Sequence, residues 1–104
     1  DWGYAGDYVQ AMWMMLQADE PDDFVIAAEQ THSVREFARL AFEVGDLNYE
    51  DHEVIDERFV RPAEINQMVG DCTRAREKLG WSATVELPEL VKMMVEADLK
   101  RHGG

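Results

Sequence analysis

Apolar residues along the chain fall into runs with helical spacing, separated by two short runs without it. The first is Tyr8-Val9-Gln10-Ala11-Met12-Trp13-Met14-Met15-Leu16, and Asp7 with Gln10 three positions on has the spacing of a reciprocal N-terminal cap. This predicts a helix over about 7–18. Between Ala11 and Leu16 every face is apolar, so contact on more than one side is expected. The acidic turn Asp19-Glu20-Pro21-Asp22-Asp23 ends that helix, and the continuous run Phe24-Val25-Ile26-Ala27-Ala28 predicts a buried strand. Ser33-Val34-Arg35-Glu36 has a capping-box pattern, with Val34, Phe37, Ala38, Ala41 and Phe42 at helical spacing and Gly45 to close a second helix. Glu53-Val54-Ile55-Asp56 is short and β-branched, so the order strand, helix, strand predicts a right-handed crossover between two parallel strands. Pro62 holds Arg61 extended, and residues 57–70 read mostly as loop. Asp71 is placed to cap a third helix through Cys72 to Leu79, closed by Gly80, with Trp81 packing back on Leu79. Pro88 suits the first turn of a last helix carrying Leu90, Val91, Met94, Val95 and Ala97, with Lys100, Arg101 and His102 near its negative end. The expected fold is α+β and mostly helical: about four helices with a small parallel two-stranded βαβ sheet, in a single domain over 1–104.

Composition narrows the partners. A length of 104 residues leaves room for one domain, and 46% hydrophobic with 31% charged residues is a globular balance. Lys and Arg number 10 against 22 Asp and Glu, a net charge of −12 that repels phosphate backbones and anionic lipid. Neither nucleic acid nor a membrane surface is an expected partner. No apolar run approaches the roughly 20 residues of a spanning helix, and Asp1-Trp2-Gly3-Tyr4 does not have the basic-then-apolar form of an export signal. The single cysteine, Cys72, forbids an internal disulfide and fits a reducing compartment. A cytoplasmic location is expected.

Few side chains form a chemical constellation. His32, His52 and His102 stand far apart, without metal-site spacing to Cys72, and read as surface or loop histidines. A helix start would favour a Cys72 thiolate, whereas Asp71 beside it opposes one, so a quiet buried thiol is the expectation. The acidic clusters Asp19 to Asp23 and Glu50 to Glu57 do not follow an EF-hand pattern and read as solvated faces. Met12, Met14, Met15, Met93 and Met94 read as core or subunit contact rather than a ligand groove. Gly3-Tyr4-Ala5-Gly6 does not follow a strand and differs from the G-x-G-x-x-G turn that seats a pyrophosphate. Arg58-Phe59-Val60-Arg61-Pro62-Ala63-Glu64 is the informative stretch: a proline-stiffened loop holds a guanidinium and, three residues on, a carboxylate. Paired hydrogen bonds suit Arg61 to phosphate and Glu64 to a sugar diol. The same residues also make an ordinary surface pair.

Taken in order, Asp1-Trp2-Gly3-Tyr4-Ala5-Gly6-Asp7-Tyr8-Val9, Ala11-Met12-Trp13, Thr31-His32-Ser33-Val34-Arg35-Glu36-Phe37, Arg61-Pro62-Ala63-Glu64, Lys78-Leu79-Gly80-Trp81 and Met93-Met94-Val95-Glu96-Ala97-Asp98-Leu99 resemble the C-terminal part of GDP-mannose 4,6-dehydratases. These are extended short-chain dehydrogenases/reductases. The resemblance covers nearly the whole chain. It implies a parent reaction in which GDP-mannose loses water to give GDP-4-keto-6-deoxymannose, with NADP taking a hydride and returning it. In that family an N-terminal Rossmann domain holds the cofactor and a Tyr-x-x-x-Lys catalytic pair. Here Tyr4, Tyr8 and Tyr49 are followed at that distance by Tyr8, Met12 and Glu53, so no cofactor site and no catalytic residue is expected within the chain. Its first residue matches the Asp of the family's Arg-Asp-Trp segment, which places a phosphate-contacting arginine outside it. The resemblance makes Arg61 phosphate-facing and Glu64 ribose-facing. Ile65-Asn66-Gln67 replaces the family's usual Val-Asp and leucine, and Cys72 its usual proline.

Two functional expectations follow. One is a GDP-mannose-binding lobe of a dehydratase-like protein, truncated and not catalytic alone, with weak binding of GDP or a GDP-sugar. The other is a stand-alone interaction or oligomerisation module descended from that lobe. Either is expected to self-associate, most simply as a dimer with exchange of a terminal helix, because the all-round apolar segment Ala11 to Leu16 exceeds what three short helices can cover.

Overall fold

A computed structural model describes residues 1–54, 56–59, 61 and 67–103. Its regular elements are the helices α1 (Ala5–Gln17), α2 (Val34–Val44), α3 (Thr73–Leu79) and α4 (Leu87–Arg101), with 3-10 turns over Tyr49–Asp51 and Glu57–Phe59. The expectation of about four helices holds. No strand occurs among the described residues, which corrects the expected parallel two-stranded βαβ sheet.

The reason is non-local. A strand exists only where a neighbour completes its ladder, and side chains take that place at the end of Phe24–Ala28. The Ala27 N–H donates to Cys72 Sγ at 3.0 Å, and the thiol donates back to the Ala27 carbonyl at 3.1 Å. Beyond it, the N–H groups of Ala28 and Glu29 donate to the Asp1 carboxylate at 2.8 and 3.1 Å. The second expected strand, Glu53–Asp56, is bound to its surroundings by side chains as well. Glu53 accepts from Arg35 Nε at 3.3 Å, Val54 is 88% exposed, and Asp56 holds Arg58 two residues on. Ile55 lies outside the described residues.

Local signals place three of the helices. The Ser33 hydroxyl accepts the Glu36 N–H at 3.0 Å, and the Gly45 N–H closes α2 on the Ala41 carbonyl at 3.3 Å. At the head of α3 the Asp71 carboxylate accepts the Thr73 N–H at 3.0 Å. At its end Gly80 adopts a left-handed φ of 70° and donates to the Arg76 carbonyl at 3.1 Å. Pro88 occupies the first turn of α4, and Lys100 and Arg101 its last. No helix among the described residues is long and apolar enough to cross a membrane.

α1 departs from its expected start. It begins at Ala5, and no side chain caps it. Asp7 turns inward instead, where its carboxylate accepts the Thr84 N–H at 3.0 Å, the Thr84 hydroxyl at 2.7 Å and the Val85 N–H at 3.2 Å. Burial pushes the Asp7 carboxyl up, but the Thr84 side chain and the Thr84 and Val85 amides together outweigh burial and hold it below its ordinary value. The Asp7 carbonyl accepts the Trp81 indole N–H at 2.9 Å. One residue of α1 thus secures the whole connection from α3 to α4.

The core lies around that residue. Ala11, Cys72, Ala75 and Trp81 are buried together, with Tyr8, Met14, Met15, Phe24, Ile26 and Leu79 packed against them. α2 packs along α4, whose Leu87, Leu90 and Val91 are buried, and Tyr49 is buried against α2 beside Phe42. The outer side of α1 is uncovered: Val9, Met12, Trp13 and Leu16, spaced as one helical stripe, are 61, 60, 62 and 82% exposed. The outer stripe of α1 is therefore not covered by the described residues.

Replacing Asp7 by Ala should cost about 2–3 kcal/mol in urea unfolding, because buried donors lose a charged acceptor; Asp7→Asn should cost less. The wild-type advantage over Asp7→Asn also carries a pH signature. Because the folded carboxyl titrates below the unfolded value of about 3.9, that advantage is complete above about pH 5 and shrinks as pH falls through the acid range. Urea midpoints of the two proteins that stay equally far apart from pH 6 to pH 3 would contradict this.

Candidate functional site

Arg61 is exposed, and Glu64 lies outside the described residues together with Pro62, Ala63, Ile65 and Asn66. The structure therefore places one member of the expected pair and shows how the segment around it is rooted. On the N-terminal side, the Asp56 carboxylate accepts from Arg58 Nε at 3.1 Å, from its terminal nitrogen at 2.7 Å and from its backbone N–H at 3.0 Å. The Arg58 side chain pulls the Asp56 carboxyl below its usual range, and Asp56 holds the guanidinium above its own. Arg58 is thus neutralised locally by a forked pair.

On the C-terminal side the root is Asp1. Its carboxylate accepts the Gly70 N–H at 3.0 Å in addition to Ala28 and Glu29, and its ammonium donates to the Met68 carbonyl at 3.3 Å. A β-carbon at position 70 would strike the Ala27 side chain, so only glycine permits this approach. Glu29 stands beside Asp1 with a φ of 66°, a left-handed conformation rare outside glycine. It is held from both ends: Asp1 takes its N–H, while its carboxylate accepts the Cys72 N–H at 3.2 Å and pairs with the Arg76 guanidinium.

Neighbouring motif residues interlock in the same region. The Trp2 indole donates to the His32 carbonyl at 3.0 Å, its ring centroid lies 4.6 Å from that of Phe37, and His32 Nδ1 meets Glu36 at 2.5 Å. A separate cluster joins α2 to the first 3-10 turn, where Arg35 Nε donates to the Tyr49 hydroxyl at 3.2 Å and to Glu53, with Arg39 over the Tyr49 ring. Sequence reasoning missed both clusters. Asp1 and Glu29 have no cap or turn signature nearby, and their partners lie up to 69 residues away.

Burial, then the neighbouring Cys72 and Asp7, push the Tyr8 phenol up; burial and a bond to Glu53 do the same at Tyr49 against the opposing pull of Arg35. A phenol made harder to ionise is the reverse of a tyrosine base. No group of three or more His, Cys, Asp or Glu side chains among the described residues could hold a metal ion. Gly3 and Gly6 do not suit a dinucleotide either, since the Tyr8 and Tyr4 rings occupy the space a β-carbon would need at each. A pyrophosphate requires that approach open. The acidic turn is held structurally as well: Asp22 accepts from Arg74 at 3.1 Å and Lys78 at 2.9 Å.

Comparison with known proteins gives these residues a context. The family described as GDP-mannose 4,6 dehydratase matches residues 1–94. GDP-mannose 4,6 dehydratase 1 of Arabidopsis thaliana is 51% identical over 100 residues, covering 96% of this chain and 28% of that protein. GDP-mannose 4,6 dehydratase of Homo sapiens is 44% identical over 117 residues, covering 96% of the chain and 32% of the relative. The Vibrio cholerae GDP-mannose 4,6-dehydratase is 39% identical over 131 residues, with 96% and 34% covered. The chain thus spans about a third or less of the length of these relatives. With nearly every residue aligned, from the Asp1 clamp to the body of α4, the chain belongs to the GDP-mannose 4,6-dehydratase family.

Proposed function

We propose that the chain is the GDP-mannose-binding lobe of a dehydratase-like protein and does not carry the reaction's chemistry by itself. What supports this reading is the alignment of residues 1–94 with the family, with an exposed Arg61 inside it. Arg61 supplies a guanidinium for the diphosphate and Glu64 a carboxylate for the ribose. Affinity in the isolated chain is low, because one arginine acts against a net charge of −12.

NADP supplies hydride acceptance and return in such a reaction. The tyrosine-filled glycines and the raised phenols of this chain suit neither its binding nor proton abstraction. The glycosyl nucleotide is bound here, and oxidation and water loss belong to residues outside 1–104.

A second reading, an interaction or oligomerisation module, is favoured by the α1 stripe of Val9, Met12, Trp13 and Leu16. α1 has Asp7 as its sole charged residue, and that side chain is buried, so two stripes meet without charge repulsion.

Titration with GDP, followed by amide chemical shifts, should give a dissociation constant of about 1 mM or weaker. Shifts should centre on Arg61, vanish in Arg61→Ala and persist in Arg58→Ala; equal loss in both variants would remove the assigned role. Incubation with GDP-mannose and NADP should yield no 4-keto product above buffer by mass spectrometry, and reproducible turnover would overturn the non-catalytic reading. Light scattering at micromolar concentration should show a dimer that Trp13→Lys with Leu16→Lys converts to monomer. A wild-type monomer throughout would remove the self-association reading.

A further inference from the structure

We propose that the last two turns of α4 pair with the same turns of a second copy, antiparallel about a two-fold axis between Asp98 and Leu99. This contact uses a surface separate from the α1 stripe and does not depend on the nucleotide-sugar reading. Two observations meet there. First, α4 is covered only in its early turns. Leu87, Leu90 and Val91 are buried, whereas Met94 and Leu99 further along are 49 and 45% exposed. An open groove of about 300 Å³ lies against Val95, Asp98, Leu99 and His102, which share one face of the helix. Second, the charges around that groove are unanswered. Glu96 and Lys100 have the i,i+4 spacing of a helical ion pair, and Asp98 and Arg101 the i,i+3 spacing. Yet none of these four side chains is joined to another group among the described residues.

The order of the charges selects the occupant. Helical spacing puts Glu96 and Lys100 on one flank of the groove and Asp98 and Arg101 on the other, so each flank carries an acid followed by a base. Where two copies of a helix cross antiparallel about a two-fold axis, like flanks meet with their order reversed. Glu96 then faces Lys100 of the second copy and Asp98 faces its Arg101, with axial offsets of about 1.5 and 3 Å. Each bridge is made twice, and the two Leu99 side chains meet at the centre. A partner of one sign does not match this pattern. The acidic turn Asp19 to Asp23 of another copy would answer Lys100 and Arg101 but repel Glu96 and Asp98, and a phosphate-rich surface would do the same. Two turns supply far fewer than the roughly 20–30 residues a side of a stable interface, so the contact is weak, with a dissociation constant of about 0.1–1 mM.

The test follows the backbone amide shifts of residues 94–102 as the chain is concentrated from about 0.02 to about 2 mM. These shifts should move together, and in about 1 M sodium chloride the association should weaken roughly 5-fold or more, because screening removes exposed ion pairs. Shifts at 94–102 that ignore concentration overturn the proposal. So does a dependence that salt strengthens, as for a purely apolar contact, and so do shifts confined to α1. Charge exchange is the second arm. Glu96→Lys with Asp98→Lys makes the tail basic, and Lys100→Glu with Arg101→Glu makes it acidic. Each variant alone should associate roughly 10-fold more weakly than the unmodified chain, because like charges then meet on both flanks. Adding the unlabelled acidic-tailed variant to the labelled basic-tailed one should bring the shifts at 94–102 back at the original strength or above. Exchanged tails that self-associate as before, or a mixture of folded variants that does not associate, overturn the proposal. The salt arm uses the unmodified chain, so it decides the matter even where an exchanged tail frays.

Discussion

The fold depends on a buried carboxylate used as a splice. Asp7 lies 5% exposed, one helical turn before the buried Ala11, and accepts three hydrogen bonds from Thr84 and Val85. These two residues sit in the connection that must deliver α4 to α2. With the Trp81 indole on its carbonyl, the same residue also closes the core between α1 and α3. Removing a carboxylate from water is costly unless the charge is met by donors, and here amide, hydroxyl and amide meet it together. Contacts more than 70 residues apart in the chain are thereby set by one side chain.

How much of this the sequence discloses depends on how local each cause is. The cap at Ser33, the left-handed Gly80 and Pro88 each act within a few residues, and α2, α3 and α4 stand close to where those signals put them. Asp7 misleads because Asp-x-x-Gln is also a cap pattern, and nothing adjacent reveals that its acceptor capacity goes to Thr84. The strand expectation fails for a related reason. Phe24–Ala28 has a strand's composition and alternation, but a sheet needs a second chain segment, and Cys72 and Asp1 fill only its far end.

The site follows the same rule. Arg61 and Glu64 stand out by chemistry and resemblance, with Arg61 exposed and Glu64 beyond the described residues. That Arg58 pairs with Asp56 could be read from their spacing of two, an interaction as local as a helix cap. The Asp1 and Glu29 clamps could not be read so, because their geometry exists only once residues near 28 and 70 have been brought together.

Position 72 shows how such long-range wiring constrains substitution. Its thiol serves the Ala27 N–H and carbonyl, and its backbone N–H serves the Glu29 carboxylate. A proline there, the residue that the resemblance associates with this position, has neither a thiol nor an N–H to give. Exchanging one for the other is therefore not a single-site event. It alters the hydrogen bonding of residues 27 and 29, the latter already in a left-handed conformation, so the identities at 27, 29, 72 and 76 form a coupled set. The effect of any one change in that set therefore depends on which of the others have already been made.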